Sequence, residues 1–144
     1  MPIPIYLVLL IGSLMGIAAA SATSSEQLQQ QIVHRYIAAF NARDTESMLN
    51  LTTDDVQWLS IDGEKISKET NNQEELRKGM EDYFESCSSC KSRLTHIFST
   101  GSRVSTLEIA SYANSQGAQQ QQSLAVYEFS GLLIKRVYYF PAEK

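Results

Sequence analysis

Residues 35–63 read RYIAAFNARDTESMLNLTTDDVQWLSIDG. The apolar positions Tyr36, Ile37 and Phe40 end one amphipathic helix. Asn41-Ala42-Arg43-Asp44 breaks it, and Asp44 is suited to cap a second short helix through Met48, Leu49 and Leu51. Thr52 to Asp55 closes that helix. Val56 to Ile61 then alternates as a strand does, with Asp62-Gly63 as its turn. A helix, a tight break, a short helix and a strand form the start around which the rest must close.

Upstream, Leu28, Ile32 and Val33 extend the same stripe, so the first helix is predicted from about Thr23–Ser25 to Phe40 and lies against a core. Gln27, Gln29, Gln30 and Gln31 read as its solvated face. Downstream, Glu64 to Ile66 suits a short return strand. Asn72 and Glu75 have capping-box spacing before a third helix, Gln73 to Ser86, with Leu76, Met80, Tyr83 and Phe84 inward. Its Arg77 and Lys78 sit among carboxylates and read as a solvated face. Four strands follow: Arg93–Thr100, Val104–Tyr112, Leu124–Phe129 and Leu132–Phe140. Asn114–Gln122 is expected to be a polar connection. Helices first and a meander afterwards indicate an α+β domain.

The 144-residue chain fits one domain, and its net charge of -4 lacks the basic surface that nucleic acid needs. Ile3 to Ala20 is almost wholly apolar and uncharged, and Ala20-Ser21-Ala22 fits a cleavage site. Residues 1–22 are therefore expected to be a signal peptide and residues 23–144 the domain, secreted or periplasmic; an uncleaved membrane anchor is the alternative for the apolar run. In such a space Cys87 and Cys90 are expected to form a structural disulfide. A redox pair, a zinc site and free thiols are the alternatives, and His34 and His96 have no spacing that would complete a zinc site. Asn50-Leu51-Thr52 matches a glycosylation triplet, of a kind common by chance. No cofactor and no metal are implied.

The Tyr36–Asp44 segment with Met48, Leu51 and Asp54-Asp55, and the closing Gly131–Phe140 run, resemble the nuclear transport factor 2-like superfamily. The resemblance is strongest to its SnoaL-like branch, which includes ketosteroid isomerases and polyketide cyclases. It implies a cone: a curved antiparallel sheet wrapped round a long N-terminal helix with two further helices, in the cystatin-like manner. It also implies a homodimer through the outer sheet face, and Tyr36 as a hydrogen-bond donor in the cone. The isomerase carboxylates fall at Ser60 and near Ala125, so that chemistry is not expected. Asp62 reads as a turn residue.

The residues supply further candidates. Glu108 shares a strand face with Thr106 and Tyr112, and His96 shares one with Leu94 and Phe98. A Glu near a His would make an acid–base pair. Trp58, Tyr83, Tyr112, Tyr127 and Tyr138 are candidates to line a pocket for a flat apolar ligand, together with Tyr36. The expected function is binding of a small apolar molecule. Acid–base proton transfer on a cyclic ketone or polyketide-like substrate by Tyr36, His96 or Glu108 is the alternative. A dimeric interaction module with a vestigial pocket is the third.

Overall fold

The structure is a computed structural model that describes the backbone of residues 15–142 and the side chains of residues 25–142. The elements run α1 (Met15–Ala42), α2 (Thr45–Leu49), β1 (Thr52–Asp62), β2 (Lys65–Thr70), α3 (Gln73–Ser86), β3 (Lys91–Thr100), β4 (Arg103–Asn114), β5 (Gly117–Ser130) and β6 (Leu133–Phe140). The side chains of the expected export signal, residues 1–22, lie outside the described residues. Among the described residues no helix is long and apolar enough to cross a membrane.

One sheet has the order β2-β1-β6-β5-β4-β3. Its pairings are antiparallel except β1 with β6, which is parallel. The last strand thus returns beside the first and joins the meander to the β1–β2 hairpin. The expected connection over Asn114–Gln122 is instead a tight turn, with Asn114 opposite Gly117. The glutamines continue β5 because an exposed strand needs no apolar alternation, and every second backbone group is met by β4.

Helix α1 lies on the concave face. Val33 and Tyr36 pack with Val104, Tyr127 and Val137 in one core, all of them buried. The stripe differs from the expected one at its start. Leu28 is exposed, whereas Gln29 is buried and its Nε2 donates to the Gly131 carbonyl at 3.0 Å. Gln29, Ile32, Val33, Tyr36 and Ile37 keep the helical spacing. A polar side chain fits there because a turn carbonyl waits for it.

The break after α1 is built as a helix-terminating motif. Asp44 N–H donates to the Ala39 carbonyl at 2.9 Å and Arg43 N–H to Phe40 at 3.0 Å. This pair of bonds requires a left-handed residue, and Arg43 has φ 62° where glycine is usual. Its guanidinium offsets the strain. Nη2 donates to the carbonyls of Cys87 (3.2 Å), Ser88 (2.6 Å) and Cys90 (3.1 Å), and the group stacks 4.9 Å above the Phe84 ring. Arg43→Ala loses these contacts and keeps the strain. Arg43→Gly loses the contacts alone. In urea unfolding the glycine variant is expected to be the more stable of the two by about 1 kcal/mol, with both below the parent. Cys87 and Cys90, which this arginine holds, stand at disulfide distance with Cα atoms 5.5 Å apart.

Candidate functional site

A cavity of about 460 Å³ opens between α1, α3 and the concave face of the sheet. Helix α1 contributes Tyr36, Ile37 and Phe40; α3 contributes Leu76, Met80 and Tyr83. Trp58 comes from β1, Glu108 from β4, Tyr127 from β5 and Tyr139 from β6. The lining is mostly apolar and aromatic. Trp58 and Tyr139 lie with ring centres 5.9 Å apart, and Tyr36 meets Tyr127 edge-on at 6.0 Å.

Glu108 reaches the cavity because β4 keeps strict alternation. Val104, Thr106 and Glu108 all point inward and are buried. Its carboxylate accepts from Tyr127 O–H at 2.7 Å and Thr106 O–H at 3.1 Å, both on Oε1. Ser92 O–H reaches Oε2 at 3.3 Å. Every one of these donors is a neutral hydroxyl. None of the ion pairs among the described residues involves Glu108. Lys91 lines the cavity too, but its Nζ donates to the Asn41 carbonyl. The carboxylate therefore faces the cavity without a cation, held by hydroxyls.

The Tyr36 hydroxyl is buried with no hydrogen-bond partner. Burial, and then the nearby charge of Glu108, push it well above the usual tyrosine range. Burial and Glu108 do the same to Tyr127, while burial leads the rise at Tyr139. All three stay protonated, and Tyr36 is a donor awaiting an acceptor.

These shifts carry a stability consequence. Above about pH 10 an unfolded tyrosine gives up its proton while Tyr36 and Tyr127 in the folded chain retain theirs. The unfolded state then binds fewer protons, so the contribution is intact below about pH 10 and falls as pH rises further. Unfolding free energy measured by urea between about pH 9 and 11 is expected to drop by up to about 1.4 kcal/mol per unit for each such tyrosine. Tyr36→Phe is expected to flatten that slope.

Of the residues singled out in the sequence, Tyr36, Trp58, Tyr83, Glu108 and Tyr127 line the cavity. His96 does not: it is exposed on β3, and its Nδ1 meets Thr95 Oγ1 at 3.4 Å. The cause is a bulge. Leu94 pairs with Glu108 and His96 with Leu107, so one extra residue interrupts the alternation. Leu94 and Ile97 both pack on the core, which leaves His96 and Phe98 on the convex side. The expected His–Glu pair is therefore absent. Tyr112 shares Glu108's strand face but sits beyond the cavity, opposite Gln119. Tyr138 gives way to Tyr139 for a reason like that at His96: an irregularity beside Phe129 shifts the β6 register, and Tyr138 O–H donates to Glu128 instead. Ser60 and Asp62 are outside the lining, and Ala125 is fully buried without a carboxylate to offer. Ser92 and Tyr139 were not picked out by spacing. Only strand register, which depends on the bulges, brings them in.

The family model described as a SnoaL-like domain matches residues 33–137. The chain belongs to the SnoaL-like family. Among solved structures, a cystatin-fold protein from Novosphingobium aromaticivorans superposes with a TM-score of 0.68 at 21% identity, covering 77% of this chain and 96% of that one. TerC, crystallised with polyporic acid, gives 0.68 at 13% identity, covering 79% and 91%. A Jannaschia protein that carries the name SnoaL-like polyketide cyclase gives 0.68 at 10%, covering 81% and 86%. At these identities the likeness is one of fold. No match was found among curated proteins. A SnoaL-like fold accounts for the position of Tyr36 on a helix that the sheet wraps, and for an open-ended cavity beside it.

Proposed function

We propose that this SnoaL-like domain is exported and binds a small, largely apolar, ring-bearing molecule whose one polar group lies between Glu108 and Tyr36. The observation that carries the reading is the polar pair itself. A buried carboxylate held only by hydroxyls faces the same apolar cavity as a buried, unpartnered tyrosine hydroxyl. A ligand hydroxyl satisfies both, donating to Glu108 and accepting from Tyr36. An organic anion is disfavoured by the charge of Glu108. The apolar run at residues 3–20 and the cysteine pair at disulfide distance support export.

A second reading rests on the same carboxylate. A ketone accepting from Tyr36 O–H would gain negative charge on oxygen as Glu108 took a proton from the adjacent carbon, a step of general-base catalysis. The proton taken from carbon rests on the Glu108 carboxyl while Tyr36 O–H holds the enolate oxygen, and its return to carbon restores the ketone, so the net change is proton exchange or isomerisation with no atom gained or lost. TerC crystallised with polyporic acid, and the cyclase name of the Jannaschia protein, favour such ring-bearing oxygenated compounds.

The chain is further proposed to pair with a second copy through its convex face. There Leu107, Leu124 and Phe140 form one cross-strand row, and Phe98, Val126 and Tyr138 lie in the next.

The test uses Trp58, the only tryptophan, as reporter. Titration with 2-tetralol and with the matched hydrocarbon tetralin is expected to change its fluorescence saturably, with 2-tetralol the tighter. Equal affinity would remove the polar anchor from the account. No saturation with either would remove the binding reading. With 2-tetralone in deuterated water, α-proton exchange above background decides for the second reading.

A further inference from the structure

The Asn41–Arg43 break does more than end a helix. Strand β3 is the edge of the sheet, so the outward backbone groups at its start have no neighbouring strand. The Asn41 side chain takes that place. Its Oδ1 accepts from the Ser92 N–H at 2.8 Å, and its Nδ2 donates to the Ser92 carbonyl at 2.8 Å. Lys91 Nζ donates back to the Asn41 carbonyl. An amide thus imitates a strand partner at one residue, and that residue carries the hydroxyl lying 3.3 Å from Glu108 Oε2. Of the hydroxyls on this carboxylate, Ser92 is the one on Oε2; Tyr127 and Thr106 share Oε1.

We infer that Asn41 is a positioning residue for Glu108 and acts through Ser92. By fixing the start of β3, it sets the Ser92 hydroxyl on Oε2 and leaves the remaining lone pair of that oxygen for a ligand. Without the amide, the β3 edge at Ser92 exchanges its two bonds for water. The Ser92 hydroxyl then has the freedom of a strand end, and Oε2 loses its partner. The inference rests on Glu108 being the polar anchor of the cavity, yet its first test needs no ligand.

That test follows the side-chain carboxyl carbon of Glu108 by NMR in ligand-free protein labelled at glutamate, at fixed pH. Glu108→Gln assigns the resonance. Ser92→Ala is expected to displace it. Asn41→Ala is expected to displace it in the same direction, and the double variant no further than Ser92→Ala alone. Asn41→Ser keeps a neutral hydroxyl that can meet one of the two Ser92 backbone groups and adds no charge, and falls between; it also serves if the alanine variant does not fold. An unmoved resonance in the Asn41 variants, or displacements that add in the double variant, would overturn the inference.

The ligand arm is separate. Asn41→Ala, Ser92→Ala and the double variant are each expected to weaken 2-tetralol by about fivefold, the worth of one hydrogen bond, and to leave tetralin unchanged. An equal loss for both probes would mean that Asn41 merely supports the cavity wall, and would also overturn it. If neither probe binds the parent protein, the binding reading fails while the carboxyl resonance still decides the role of Asn41.

Discussion

Glu108→Leu is expected to weaken 2-tetralol by about 10- to 100-fold and to leave tetralin as tight as before or tighter. A hydrogen bond to a charged group is worth about 1.5–3 kcal/mol, which gives that range. The leucine also adds apolar surface to a wall that is already apolar. Glu108→Gln separates charge from shape. The amide still meets the ligand hydroxyl, so the loss is expected at the low end of the range. The Tyr127 hydroxyl keeps an acceptor only if the amide oxygen takes the place of Oε1. Any α-proton exchange of 2-tetralone is expected to fall by at least about 100-fold in both variants, because neither can accept a proton from carbon. Exchange that survives in both would move the base elsewhere. Trp58 fluorescence reads the affinities, and proton NMR in deuterated water reads the exchange.

The other large effect concerns folding. Tyr127→Ala is expected to destabilise the domain by about 3–5 kcal/mol, the range for removing a large aromatic side chain from a core. Tyr127 is 1% exposed, packs edge-on against Tyr36 and joins the inner faces of β4 and β6. Tyr127→Phe keeps the ring and removes only the hydroxyl. Its expected cost is about 1.5–3 kcal/mol, because a bond to a carboxylate is lost and Oε1 retains Thr106 alone. Urea unfolding measures both. A phenylalanine variant as unstable as the alanine variant would assign the stability to the hydroxyl network, not to packing.

Much of the fold was legible because its signals are local. The helical stripe of Ile32, Val33, Tyr36 and Ile37 is set by spacing alone. The Asp44 cap is a local bond as well, with Ser47 N–H donating to its Oδ1 at 3.0 Å. Helix α3 falls at the expected Gln73–Ser86, where the Asn72 side chain accepts from Glu75 N–H. The site was only half legible, since strand faces depend on an unbroken period of two. Alternation holds along β4, and it carries Glu108 to the inside. It fails on β3 and β6, where one extra residue turns His96 and Tyr138 outward. Nothing in the amino-acid order marks those bulges. Gln29 eluded the reading for a different reason. Its partner is a carbonyl more than 100 residues away, at Gly131. The same distance problem hides the Asn41–Ser92 contact, although the break that contains Asn41 is among the clearest features of the sequence.

On the proposed function, the polar pair inside the cone receives the ligand's one polar group. The most direct measurement is a crystal structure of the domain grown with 2-tetralol. The expected result is the bicyclic ring among Trp58, Tyr139 and Met80, with its oxygen in hydrogen-bond reach of both Glu108 and Tyr36. A molecule bound with its oxygen toward the mouth, at Glu69 and Lys91, or seated on the convex face beside Phe98, would contradict the account.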